Sequence, residues 1–246
     1  MRRAAIGVLL LCGAAGPAAP QTSPNRATRY LFQTDGQDAR ALGVNPAGPA
    51  VTVSASVYGD VVIRGPGDTT RLEQLSAGFS SRGLSFAYQY DDFETGVGHT
   101  YRLGLAGGSG PFVVGAAAAY YRGGTKAWGY DVGLVYRAGT TLTLGATTAN
   151  ISEPVVRGVR QALAFIPGVT WTPFGPTLEL SALGRVADTA DGYSAGVRWR
   201  VPLSIGSVVL ARLDTDGDLR ATGLAFGLAI GGQDQVGLVV TTPEDL

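Results

Sequence analysis

Residues 84–91 read LSFAYQYD, so large apolar or aromatic side chains alternate with small or polar ones. Successive side chains of an extended chain point to opposite faces, which places all the large residues of this stretch on one face. A helix would instead bring its apolar residues round every three or four positions. The stretch therefore predicts a β-strand with one apolar face.

The same alternation continues through about thirteen segments between Ala50 and Thr242, and turn residues separate the segments. Many segments run about 10 residues, whereas strands of globular proteins commonly have about 5–6. About ten residues is the length that a tilted strand needs to cross a bilayer. The segment length therefore favours a membrane-spanning barrel over a soluble β-sandwich, which is the structural competitor.

The joints between segments alternate between long and short, as in outer-membrane barrels with short periplasmic turns and longer external loops. The sequence thus predicts an all-β fold, an antiparallel up-and-down transmembrane β-barrel of about 12–14 strands with a short N-terminal plug-like segment. We expect the first strand at Val51–Tyr58, running outward from the periplasm. The odd count leaves three alternatives open: a split or missed strand, a strand at Tyr30–Thr34, or a missing final strand.

Composition excludes several classes of protein. The chain has 19 basic and 19 acidic residues in 246, so it lacks the basic excess of a nucleic-acid-binding protein. Cys12 is its one cysteine and His99 its one histidine, which excludes a disulfide framework and a Cys/His metal cluster. The high glycine count of 37 and the low charged fraction of 15% are typical of a β-rich membrane protein.

The N-terminus has the order of a secretory signal peptide. Arg2 and Arg3 precede the apolar run Ala4–Leu11, and small residues follow up to Gln21. We therefore predict a signal peptide at 1–20, an N-terminal segment at 21–49, a barrel at 50–246, and location in the bacterial outer membrane. Lipidation of Cys12 is an alternative, although the bulky Leu11 before it disfavours that processing.

Two motifs that suggest chemistry have simpler explanations. Residues 192–196 match the G-x-S-x-G pattern of hydrolases, but they lie inside an alternating strand, and the histidine precedes them. Residues 214–218 read DTDGD, which fits a hairpin turn, with a weak surface calcium site as the alternative. The sequence predicts no catalytic residue, no metal site, no cofactor and no enzymatic activity.

The retained candidates are charged residues on the less apolar faces of the predicted strands, where they would line a lumen. They are Asp91, Arg102, Asp131, Arg137, Glu179, Arg185, Arg198, Arg200 and Arg212. One interpretation is a polar, somewhat cationic passage that attracts anions, because lumen charges tune selectivity. The other is a closed lumen in which these charges pair and fill space.

Residues 38–48 read DARALGVNPAG, and residues 144–150 read LGATTAN. These runs resemble the long-chain fatty-acid transporter superfamily of barrels, especially the branch that contains the type IX secretion shuttle protein. Family members carry ARALG, an insert, and then NPAG leading into the first strand; here the insert is nearly absent, which predicts a shortened plug. The family motif is Asn45, Pro46, Ala47 and Gly48, although a turn that starts the first strand would also need these residues.

The resemblance implies a transport or pore protein for small hydrophobic or anionic solutes. One alternative is a non-conducting scaffold or shuttle barrel that binds an exported protein; another is the barrel module of a longer fused protein. The expected partners are outer-membrane lipid and either a small solute or an exported protein, with no nucleic acid.

Overall fold

The structure is a computed structural model that describes residues 26–36, 38–51, 54–64, 71–93, 96–189, 191–201, 206–231 and 236–241. The predicted signal peptide, Cys12 included, lies outside the described residues. Within these ranges, no helix has the length and apolar content needed to cross a membrane.

Three short 3-10 helices precede the strands: η1 (Arg26–Thr28), η2 (Ala39–Gly43) and η3 (Gly48–Ala50). The strands are β1 (Ser56–Arg64), β2 (Arg71–Ser81), β3 (Leu84–Phe93), β4 (Gly96–Ser109), β5 (Phe112–Gly123), β6 (Thr125–Ala138), β7 (Leu142–Ala149), β8 (Val155–Val156), β9 (Val159–Arg160), β10 (Ala164–Trp171), β11 (Pro173–Pro176), β12 (Leu178–Ala187), β13 (Gly192–Val201), β14 (Ser207–Asp216), β15 (Ala221–Ile230) and β16 (Val236–Thr241).

The main sheet is antiparallel and contains 13 strands in the order β1-β2-β3-β4-β5-β6-β7-β10-β12-β13-β14-β15-β16. Each strand thus pairs with the next long strand along the chain, which confirms the predicted all-β, antiparallel, up-and-down order and the strand count. β8 and β9 form a separate hairpin inside the long connection between β7 and β10.

The predicted position of the first strand is wrong. β1 is Ser56–Arg64 rather than Val51–Tyr58, because Gly48–Ala50 forms a 3-10 turn that continues to Val51. Pro49 is fully buried there, and its fixed φ suits a helical turn better than a ladder position. The alternative strand at Tyr30–Thr34 is wrong as well, since these residues form turns and irregular structure.

The sheet curls around residues 26–36 and 38–51, which we call the plug. Plug residues contact the same face of strands that lie far apart in the sheet: Asp60 of β1 binds Arg40, Leu134 of β6 binds Asn45, and Asp214 of β14 binds Arg29. A flat sheet could not bring these strands to one short segment. The sheet therefore has an inner face on the plug and an outer face turned away from it.

The outer face is apolar, whereas the inner face buries polar side chains together with apolar ones. Polar side chains such as Gln74, Ser76 and Ser85 are at most 1% exposed on the inner face, whereas Leu105 and Phe226 are 64% and 55% exposed on the outer face. Among the described side chains, the charged ones at outer-face strand positions are Asp92, Arg122 and Lys126. The outer surface is thus apolar over almost its whole extent.

The order of the sheet ends at β1 and β16, and both strands run in the same direction because the count is odd. Among the described residues, no strand pairs with the free edge of either one. Both edges border one cavity, described below.

Candidate functional site

Glycines on the inner face make room for the plug. A Cβ added at any of them would come within 3.0 Å of a plug atom, so a side chain there would force nearby plug atoms to shift. They are Gly104, Gly115, Gly133, Gly145, Gly168, Gly196 and Gly223. The glycine content thus serves close approach of the plug to the strands, and the plug occupies the space that these glycines leave.

Asn45 of the NPAG motif fastens the plug to the wall. Its Nδ2 donates to the carbonyl of Gln33 at 2.6 Å and to that of Leu134 on β6 at 3.0 Å, and its Oδ1 accepts from the amide of Ala47 at 3.0 Å. The side chain is fully buried. Gly133 of β6 faces it, and a Cβ at that position would overlap Oδ1 of Asn45. The motif is therefore an internal brace, and β1 begins eight residues after its last residue, Gly48.

Ion pairs also join the plug to the wall. Arg198 of β13 lies 2.8 Å from Oδ1 of Asp35 in the plug and 2.7 Å from Oε2 of Glu179 on β12. All three side chains are at most 13% exposed. A buried pair loses much of its hydration, so its geometry must satisfy both charges, as it does here.

A second ionic cluster lies on β13 and β14. Nε of Arg212 donates to Oδ1 of Asp214 at 2.7 Å, and Ser194 Oγ donates to the same oxygen at 2.5 Å. Arg29 of the plug reaches the other oxygen at 3.2 Å, and Arg212 lies over the ring of Phe32 at 4.8 Å. Ser194 is the serine of the G-x-S-x-G pattern, and this contact makes it part of a structural cluster inside a strand.

The third cluster holds the plug against β1. Arg40 binds both oxygens of Asp60 through Nε and also pairs with Asp38 at 2.7 Å. Its guanidinium lies 5.1 Å from the ring centre of Tyr58. Nearby, burial raises the pKa of Tyr30 in the plug to about 12, so the phenol stays neutral.

The other predicted lumen charges are spread over both ends of the sheet. Asp91 is 4% exposed and accepts hydrogen bonds from Gln74 and Gln89, while Arg102 lies 3.7 Å from Asp131. Arg137 donates to the carbonyl of Val51 at 2.5 Å.

Arg185 and Arg200 occupy inner-face positions of β12 and β13, and Arg200 is exposed. The structure thus brings Arg137, Arg198 and Arg212 into direct contact with the plug, and Glu179 reaches it through Arg198.

The connection between β7 and β10 folds over one end of the sheet, the end at which β5 also turns into β6. We call it the long-loop end. Oγ of Ser152 donates to the carbonyl of Trp128, and Nη2 of Arg157 lies 4.0 Å from Asp91 on the inner face. Arg160 donates a short hydrogen bond to Glu153 across the β8–β9 hairpin. This segment, residues 150–163, is the outer hairpin.

A cavity of about 630 Å³ lies between the plug and the two sheet edges. Its walls are mostly apolar, with Val62, Val208, Leu210 and Val239 among them, and Arg40, Asp60 and Arg198 lie at its polar side. It is lined by consecutive residues from β1 (59–63) and from β16 (237–241). The cavity therefore reaches the gap between the two free edges. Its volume lies within the usual range for small-molecule pockets.

Residues 214–218, where the sequence left a weak calcium site open, have carboxylates that point to different partners. Asp214 points inward to the Arg212 cluster, whereas Asp216 Oδ1 accepts from the amides of Asp218 and Arg220 and closes the turn. Among the described residues, no group of three or more His, Cys, Asp or Glu side chains could hold a metal ion.

Sequence reasoning missed the plug's contacts and the glycine positions that receive it. A signal was present, because neighbouring strands repeat glycine on the inner face near mid-length, as at Gly115, Gly133 and Gly145. Glycine weakens strands, so its repetition on one face indicates close backbone approach.

The fold and its interior define a class, an antiparallel all-β protein whose main sheet curls around its own N-terminal segment and turns its apolar face outward. No protein-family model matches the chain, and no curated protein does either. Membership of the fatty-acid transporter superfamily therefore stays a prediction from residues 38–48 and 144–150.

Proposed function

We propose that the chain is a bacterial outer-membrane β-barrel that binds and passes small hydrophobic solutes. In this proposal the plug fills part of the lumen, and the cavity between the plug and the edge strands receives the solute. The observation that carries the proposal is the nearly uncharged, apolar outer face of 13 consecutive strands. Such a face is expensive in water and suits hydrocarbon.

The spacing of aromatic residues supports a bilayer setting. Tyr120 on β5 is next to Trp128 on β6, and eight residues away Phe112 is next to Tyr136, with ring centres 4.8 and 4.5 Å apart. Eight residues of a strand tilted by about 40° span about 20 Å across the membrane, close to the apolar band of about 25 Å between the aromatic girdles of outer-membrane barrels.

Barrel closure is part of the proposal. Unpaired backbone groups are costly in a bilayer, so the free edges of β1 and β16 favour a closed arrangement in lipid. The edges of β1 and β16 border the same cavity, so pairing of these two strands across the gap between them would close the sheet.

The interior charges favour a hydrophobic solute over an anionic one. Arg198 and Arg212 are each engaged by a carboxylate, so neither offers an uncompensated positive charge to a passing anion. The cavity walls that remain are mainly apolar. We therefore prefer passage of a small hydrophobic molecule to an open anion pore.

The plug also favours a second candidate function, a non-conducting scaffold that holds an exported protein. Contacts of the plug with strands as far apart as β1, β6 and β14 obstruct a continuous channel. The outer hairpin offers a partner an ordered surface at the long-loop end. Capture of a secreted partner without solute binding would favour this candidate.

The test combines location with solute binding. We expect the protein in the membrane fraction, and we expect it to migrate faster on a gel before boiling than after it. A fluorescent apolar probe should bind saturably, and Leu210→Arg, which places a charge in the cavity, should abolish this binding. Leu219→Arg, an equally drastic change in the exposed β14–β15 turn, should leave probe binding intact. A mature chain that is monomeric and soluble without detergent would overturn the proposal.

A further inference from the structure

We propose that Arg122 and Lys126 form a binding site for the phosphate of an anionic membrane lipid, on the outer face near the long-loop end of the sheet. The inference rests on the proposed membrane setting and adds a specific ligand to it.

The pair is fixed by the hairpin between β5 and β6. Gly123 and Gly124 have positive φ values of 141° and 72°, which lets the chain reverse tightly. Arg122 and Lys126 are therefore directly opposite each other across the two strands, and both side chains are exposed. Cβ atoms of such partners lie about 4.5–5.5 Å apart, which is close enough for both side chains to contact one phosphate.

Two like charges in this position repel each other, so on its own the arrangement is unfavourable. Among the described residues, neither side chain makes an ion pair that would relieve the repulsion. An anion held between them would relieve it, and a phosphate has oxygens enough to bind both.

The position relative to the aromatic row points to lipid as the source of the phosphate. Tyr88, Tyr101, Tyr120 and Trp128 are cross-strand partners in one row over β3–β6, with adjacent ring centres 5.2, 6.3 and 4.8 Å apart. The next outer-face row towards the loops is Tyr90, His99, Arg122 and Lys126. Aromatic rings of this kind lie at the membrane–water interface, so the row beyond them is level with lipid headgroups.

The rest of the outer face sharpens the inference. Arg122 and Lys126 are the basic strand residues on the outer face among the described side chains, and Asp92 is the one acidic residue there. Asp92 is on β3, two strands across and two residues along from Arg122, which corresponds to about 12 Å. The basic pair is thus concentrated at one point of a surface that is otherwise nearly uncharged, where a lipid's chains and its phosphate can bind together.

The test uses Trp128, which lies beside the pair, as the reporter. In a Trp171→Phe, Trp199→Phe background it is the only tryptophan, and brominated lipids quench tryptophan on contact. The mature protein is placed in mixtures of brominated phosphatidic acid and phosphatidylcholine, and the relative association constant of the two lipids is measured.

We expect a preference for the anionic lipid that falls about fivefold in Arg122→Gln and about 30-fold when Lys126→Gln is added, since each basic side chain near an anionic surface contributes roughly a factor of five. Asp92→Asn should strengthen the preference. Arg220→Gln, which removes an exposed charge from another hairpin, should leave it unchanged. Quenching by brominated phosphatidylcholine should stay the same in every variant, which shows that each one is folded and inserted.

Three results are distinguishable. An unchanged preference in the double variant overturns the site. Displacement of the lipid by excess inorganic phosphate at constant ionic strength overturns lipid as its ligand in favour of free phosphate. Absence of quenching by either lipid overturns the membrane proposal itself, and the lipid site with it.

Discussion

Asn45 shows how one buried side chain can hold two layers of this molecule together. Its amide group is fully buried and hydrogen-bonded on both sides, to the plug through Gln33 and Ala47 and to the wall through Leu134. A buried carbonyl that loses its donor costs about 1–3 kcal/mol, which is more than the net gain of an ordinary hydrogen bond. Replacement of Asn45 should therefore lower the free energy of unfolding more than replacement of an ordinary residue in an irregular segment.

We expect Asn45→Ala to lower the free energy of unfolding by about 2–4 kcal/mol, because the carbonyls of Gln33 and Leu134 and the amide of Ala47 lose their partner. Asn45→Asp should be at least as harmful, since it keeps the acceptor for Ala47 but places a carboxylate against two carbonyl oxygens. Urea unfolding of the refolded protein in detergent measures both. Ser152→Ala, which removes an exposed hydrogen bond to a carbonyl, is the control and should change stability by less than about 0.5 kcal/mol. Equal effects at the two sites would contradict the role given to Asn45.

Gly133 and Gly107 offer a matched pair of substitutions. A Cβ at Gly133 overlaps the side chain of Asn45 and Cδ of Pro46, whereas a Cβ at Gly107 meets nothing within 4 Å. Gly133→Ala should thus cost about 1–3 kcal/mol through overpacking, and Gly107→Ala should be neutral or slightly stabilising, because alanine limits the unfolded chain. The same urea titration compares them. A neutral Gly133→Ala variant would mean that the plug does not rest on β6.

The strands were predictable from sequence, whereas the internal structure of the plug and its contacts with the strands were not. Alternation over about ten residues, as in β3 or β6, is a repeated local signal that survives any detail of packing. The plug consists of short 3-10 helices and turns without a period, and its position depends on contacts such as Gln33 with Gly145, over one hundred residues away. The first strand was misplaced for the same reason. Val51 has the residue type of a strand, and only the structure shows that the buried 3-10 turn before it includes Val51 as its cap.

The charged residues were predictable as inner-face positions, but their partners were not. Alternation alone assigns Arg198 and Arg212 to the less apolar face of β13 and β14. Pairing of Arg198 with Asp35 requires the plug to reach β13, and no pattern in the sequence of residues 26–51 predicts this contact. The sequence therefore left open a cationic passage, and the structure has carboxylates beside these two arginines.

The outer hairpin gives a pH-dependent prediction. A hydrogen bond from Arg160 lowers the pKa of the Glu153 carboxyl below its ordinary value. A group whose pKa is lowered by folding stabilises the folded form above its unfolded pKa, and that contribution is lost as pH falls through the folded value. Amide exchange at Gln161, whose N–H donates to the carbonyl of Pro154, should thus accelerate as the pH falls below the ordinary pKa of a glutamate carboxyl, after correction for the intrinsic rate. In Glu153→Gln the corrected rate should not depend on pH, and persistence of the dependence would assign it to another group.

The polarity of the molecule as a whole is the property on which its setting depends. Burial of Gln74 and Ser76 beneath an exposed surface of leucine, valine and phenylalanine is the opposite of what water selects. An exposed apolar surface of this extent must be covered, either by lipid or by another protein. A charge introduced at its centre distinguishes hydrocarbon from water directly.

Val132 on β6 is the position for this test. Its partner is Ala116, midway between the aromatic pairs Tyr120–Trp128 and Phe112–Tyr136, and it is 43% exposed. If hydrocarbon covers the outer face, Val132→Arg should lower the free energy of unfolding from lipid vesicles by about 2–4 kcal/mol, which is the cost of arginine at the middle of a bilayer. Leu219→Arg is the control, since Leu219 is 70% exposed and lies in the turn between β14 and β15, outside the strands; it should cost no more than about 1 kcal/mol. The difference arises from depth alone, because both changes place the same side chain on an exposed site. Equal and small effects at the two positions would mean that water reaches the outer face, and the membrane assignment would fail with them.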